Sequence, residues 1–99
     1  MRLEFSPRAP NMSPKILAVA RIVFEEPPLE GLLLEGFTVW QSKVAEGTLN
    51  ITFPSRNFTQ SGIQKYRWML RAASFDDSPI YRLRQIIENE YLKWVNNTL

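Results

Sequence analysis

Arg56, Lys65, Arg67 and Arg71 stand in a stretch, residues 47–75, that contains these four bases and no acid. Cations gathered without carboxylates to neutralise them suit the holding of phosphates, Arg through its planar fork and Lys as a point charge. The flanks differ. Residues 1–46 carry five bases and six acids and residues 76–99 carry three and four, so the formal charge of +2 (−1 + 4 − 1) comes wholly from the middle. Trp40 and Phe58 could supply rings on which bases stack. The competing reading is that Lys and Arg solvate the outer side of an antiparallel sheet and guard it against aggregation.

Other chemistry is poorly supplied. Cys and His are both absent, which excludes disulfides, zinc sites built on those residues, thiol nucleophiles and imidazole catalysis. The tight acidic pairs have structural places. Glu25 and Glu26 end an apolar run before Pro27 and Pro28, and Asp76 and Asp77 precede a helix whose positive end favours carboxylates. Four dispersed glycines form neither a phosphate loop nor a dinucleotide fingerprint, and no run has calcium or magnesium spacing. The expectation is a protein that is not an enzyme, without metal, cofactor or small-molecule substrate.

With 44% apolar and 22% charged residues in 99, the chain has the balance of one soluble globular domain. The first fifteen residues hold Arg2, Arg8, Lys15 and three prolines but no apolar run. Neither a signal peptide nor a membrane partner is therefore expected, and the cytoplasm is the expected compartment. The N-x-S/T triplets at Asn11, Asn50, Asn57 and Asn96 are then chance matches.

The elements that must position the cations follow from pattern. Residues 1–14, with Pro7, Pro10 and Pro14, read as a flexible arm, and residues 15–99 as a single α+β domain. A first strand is predicted over Lys15–Glu26, with Ala18, Ala20 and Ile22 on one side and Arg21 on the other. A second follows over Leu32–Gln41, with Gly36 as a bulge or point of close approach. After a turn over SKVAEG, Leu49, Ile51 and Phe53 alternate with Thr48, Asn50 and Thr52 in a third, ended by Pro54. Residues 55–64 read as a polar loop. A fourth strand, KYRWMLRAA, sets Tyr66, Trp68, Leu70 and Ala72 against Lys65, Arg67, Met69 and Arg71. If strands three and four are neighbours, Thr48, Asn50 and Thr52 adjoin Lys65, Arg67 and Arg71 in one cationic face.

The C-terminal helix has Ser78 as N-cap, Pro79 at the first helical position, and a reach to about Asn96. Ile80, Leu83, Ile87, Tyr91 and Trp94 make its apolar stripe, Arg84 and Glu88 pair beside it, and Arg82 lies away from it. The expected architecture is a small antiparallel sheet of about four strands with one C-terminal helix packed on one face and the other left open. Its free edge invites a homodimer.

Over roughly Lys15–Lys93 this order resembles the SpoVG (stage V sporulation protein G, septation protein) family of small bacterial regulators. The most specific likeness is an apolar strand closing on Pro-Ser-base, here Ile51, Thr52, Phe53, Pro54, Ser55 and Arg56, followed by a basic loop, a strand and a helix ending Asn89-Glu90-Tyr91. The family's acidic Gly-containing loop is replaced by TQSGIQ, its His-Pro is lost around Arg71 and Ala72, and the segment SFDDS is longer. The resemblance implies a dimeric, site-selective DNA- or RNA-binding regulator linked to sporulation, septation or gene expression. It supports Ser55 and Arg56 as contacts, and charge adds Lys65, Arg67, Arg71 and Arg82. The alternative is a protein-interaction module recruiting a partner through the sheet edge or through Leu32, Leu33 and Leu34.

Overall fold

The computed structural model describes residues 1–42 and 48–98. Its elements are β1 (Arg2–Pro7), β2 (Ile16–Val23), β3 (Leu33–Gln41), β4 (Leu49–Thr52), β5 (Ser55–Gln60), β6 (Ile63–Trp68) and α1 (Ser78–Thr98). Strands β1 to β4 form one antiparallel sheet in sequence order, and β5 and β6 form a separate two-stranded sheet. The small α+β architecture with one C-terminal helix is as expected. The turn expected over SKVAEG lies, apart from Ser42, outside the described residues.

The buried face of the large sheet follows from period-2 alternation. Ala18, Ala20 and Ile22 of β2, Phe37 and Val39 of β3 and Ile51 of β4 point inward, joined by Phe53, Ile87 and Tyr91. Ile80, Leu83 and Trp94 pack against this core, so the predicted helical stripe is the docking face. On the opposite face Arg21 donates to Glu4 at 2.7 Å, and Arg2 reaches the same carboxylate at 3.1 Å. Those two guanidiniums, Arg21 first, hold the Glu4 carboxyl below its ordinary range.

The flexible arm is corrected in its first half. Arg2–Pro7 pairs with β2 in the register Leu3↔Ile22 and Phe5↔Ala20, which puts both apolar side chains against the core. Phe5 stacks on Trp94 at 5.8 Å and meets Tyr91 edge-on at 6.0 Å. Pro7 outweighs this short alternation in a composition argument, yet at a strand end its missing N–H costs the ladder little.

Gly36 is the bulge. The pairing runs Ala20↔Phe37 and then Arg21↔Glu35, leaving Gly36 unpaired at φ +109°. A Cβ there would sit 3.1 Å from Pro54 Cβ, so the glycine also lets the start of the hairpin approach β3.

Two expectations about the middle of the chain are corrected. Residues 55–60 are a strand rather than a loop, because Ser61 (φ +52°) and Gly62 (φ +77°) form a two-residue turn between Gln60 and Ile63. Both turn residues have positive φ, the type I′ geometry that matches strand twist. The last strand ends at Trp68 instead of running on to Ala73, where the Met69 N–H donates to the Pro54 carbonyl and closes the base of the hairpin. The third and fourth predicted strands therefore belong to different sheets, and Asn50 and Thr52 do not adjoin Lys65, Arg67 and Arg71 as ladder neighbours.

The start of α1 differs by one residue from the expected cap. Ser78 is already helical; the Asp77 carbonyl accepts from Ile80 N–H at 3.0 Å, while the Asp76 carboxylate accepts from Ser78 N–H at 3.0 Å and from Ser78 Oγ at 2.9 Å. Those bonds, the backbone one first, hold the Asp76 carboxyl below its ordinary range. Because the folded-state value is depressed, this support is complete above the ordinary carboxylate range and disappears as pH falls through the depressed value. Hydrogen exchange should show the Ser78 amide losing protection at neutral pH in Asp76→Ala, and in the parent chain only in acid. Arg84 does not take up the expected Glu88 pair; its Nη2 donates to Asn50 Oδ1 at 3.1 Å and ties the helix to β4.

Candidate nucleic-acid interface

The β5–β6 register assembles the basic middle of the chain. Arg56 lies directly across from Arg67, and Phe58 directly across from Lys65. Alternate residues share a face, so Arg56, Phe58, Lys65 and Arg67 make one side of the ribbon and Ser55, Asn57, Tyr66 and Trp68 the other. All three cations are exposed. The Arg67 guanidinium stands 6.0 Å above the Phe58 ring, at the outer limit of a cation–π contact, and Lys65 Nζ donates to Gln60 Oε1 at 3.1 Å.

Like charges directly across a ladder destabilise it, and none of the ion pairs among the described residues involves Arg56, Lys65 or Arg67. Three cations on one side of the ribbon, unneutralised by the described residues, form a surface that an anion would stabilise. Phosphate oxygens fit it through guanidinium forks.

The remaining predicted residues are elsewhere. Ser55, paired with Trp68, is on the opposite side of the ribbon from Arg56. Arg71 lies beyond β6 and borders a hollow with Trp68, Asp77, Tyr81 and Arg84. Arg82 sits on α1, where its charge acts on Asp76. The family-like Asn89 and Glu90 take partners on their own helix, Gln85 at 2.9 Å and Lys93 at 3.3 Å, and Tyr91 is core.

The hairpin is fastened at its base. Trp68 stacks on Phe53 at 4.8 Å, and Phe53 meets Phe37 edge-on at 5.2 Å, so the ribbon's orientation is set by the core. Between the ribbon and the open face of β3 lies a cleft that Trp40, Tyr66 and Trp68 line together with Glu35, Gly36, Pro54 and Asn57. Trp40 is held there by its Nε1–H, which donates to Thr52 Oγ1 at 2.8 Å. Sequence reasoning misses the part of Tyr66, which alternation places with Trp68; the signal for it is the Ser61-Gly62 turn between two alternating runs.

Comparison with protein-family models, with characterised proteins and with solved structures gives no match. No helix among the described residues is long and apolar enough to cross a membrane.

Proposed function

We propose that this chain is a non-enzymatic, cytoplasmic nucleic-acid-binding regulator, acting as a homodimer through a sheet edge, and that the Arg56–Lys65–Arg67 side of the hairpin is its contact surface. The observation that carries this is the facing pair Arg56 and Arg67, in register and exposed, with no acidic partner among the described residues. The SpoVG resemblance rests on the sequence order of a strand closing on Pro54-Ser55-Arg56, a further strand and a helix bearing Asn89-Glu90-Tyr91, although residues 55–60 form a strand where the resemblance has a basic loop and α1 runs past the motif to Thr98. That order supports a link to sporulation, septation or gene expression.

Binding of labelled single- and double-stranded oligonucleotides, followed by fluorescence anisotropy between 50 and 200 mM salt, tests the reading. Each phosphate contact contributes about 0.7–0.9 to the slope of log K against log salt. Arg56→Ala combined with Arg67→Ala should flatten that slope by about 1.5 and weaken low-salt binding on the order of tenfold. Arg71→Ala and Arg82→Ala show whether the surface extends to the start of α1. Absence of binding by the parent chain at low salt overturns the reading.

A protein-interaction module has one observation in its favour: Leu32 and Leu33 of the expected run, with Leu29, are exposed around the entry to β3, whereas Leu34 packs against the core. Crosslinking in extract separates the two, since the first reading requires recovered nucleic acid and the second a protein attached through the Leu32 region.

A further inference from the structure

We propose that the cleft between β3 and the hairpin receives one unpaired nucleobase, so that the nucleic acid is bound single-stranded, phosphates on one side of the ribbon and a base against the other. This rests on the nucleic-acid reading above and adds to it the form of the ligand.

The cleft and the cationic side are two faces of one ribbon with opposite chemistry. Among the residues that line the cleft are Trp40, Tyr66 and Trp68, one acid, Glu35, and no Lys or Arg. A lone carboxylate without a cation disfavours phosphate, whereas three rings favour a flat, uncharged partner. Tyr66 is 71% exposed, so its ring is available. Trp40 is already oriented by its bond to Thr52, and a ring fixed before binding loses little entropy on contact. Asn57 can both donate and accept, and Glu35 can accept from an exocyclic amine, which are the contacts that base edges offer. The opening, about 600 Å³, lies within the range of roughly 300–1,000 Å³ of small-ligand sites.

Charge decides among flat partners. A base carries phosphates on both sides of its sugar, and Arg56, Lys65 and Arg67 lie on the same two-stranded ribbon that walls the cleft. A base within a duplex is stacked and paired, and cannot enter without being extruded.

The test compares a mixed-sequence ten-nucleotide strand, an abasic strand of the same length and the corresponding duplex at 50 mM salt, read by tryptophan fluorescence and anisotropy. The base-bearing strand is expected to quench the emission and to bind on the order of tenfold tighter than the abasic strand. Tyr66→Ala, at an exposed position where the circular dichroism is expected to stay unchanged, should reduce that advantage to within about twofold without altering the abasic affinity; Tyr66→Phe should keep it. Equal affinity for base-bearing and abasic strands, equal affinity for the duplex, or an unchanged advantage in Tyr66→Ala overturns the base site while leaving the phosphate surface standing. Binding by neither strand removes both. Quenching by a proline-rich peptide and by no oligonucleotide would assign the cleft to a protein partner and overturn the proposal.

Discussion

Phe37→Ala is expected to lower stability by about 3–5 kcal/mol, since a fully buried aromatic side chain is replaced by a methyl group and a cavity. Phe37 heads the fully buried side chains of the core by volume. For a domain whose whole stability is of order 5–15 kcal/mol, that is enough to leave a substantial unfolded fraction near body temperature. The midpoint of thermal unfolding should fall by about 15 °C or more, at roughly 4–8 °C per kcal/mol for a chain of this size. The damage should also spread in one direction. Phe37 touches Phe53 and Phe53 stacks on Trp68, so hairpin amides should lose hydrogen-exchange protection before those of β1. A loss below about 1 kcal/mol in urea titration would remove Phe37 from its assigned place in the core.

Gly36→Val is the second large effect, and two costs combine in it. The backbone holds φ +109°, which a β-branched residue resists, and the new Cβ would meet Pro54 Cβ at 3.1 Å. A sparsely populated conformation costs about 1–3 kcal/mol and an overpacked contact about 1–3 kcal/mol more. The expected total is about 3 kcal/mol, read by urea titration. Gly31→Val provides the control, because Gly31 has φ +85° and a Cβ added there would meet nothing within 4 Å; only the backbone cost remains, about 1–2 kcal/mol. Equal losses at the two glycines would mean that Pro54 yields freely and that β3 does not fix the hairpin.

Strands β2 to β4 and the helix were legible because each is a strong periodic signal facing one core. Ala18, Ala20 and Ile22 alternate against Arg21, and Ile80, Leu83, Ile87, Tyr91 and Trp94 recur at helical spacing, so local pattern and final burial agree. Strand β1 was hidden because two apolar residues, Leu3 and Phe5, are too few to outweigh three nearby prolines; its partner is β2, and the rings that secure it come from the far end of the chain. The hairpin was half legible. Alternation through Lys65 and Arg67 identified β6, but Ser55–Gln60 is polar throughout except for Phe58, and a strand exposed on both faces has no hydrophobic period to show. The candidate site was legible as composition. Three of the four cations in the acid-free stretch do share a face, but they meet across a type I′ turn, not across neighbouring strands of the large sheet. Arg71 follows Trp68, where closure of the hairpin has already ended the ladder.

The contact between β1 and α1 joins Phe5 to Trp94, across almost the whole sequence. During synthesis the β1–β2 ladder can form early, but the aromatic cover over Phe5 cannot exist until Tyr91 and Trp94 have left the ribosome. A sheet formed before then would present its apolar face to water as an uncovered, adhesive surface, and the helix, which follows the described strands in sequence, would close over it as a lid.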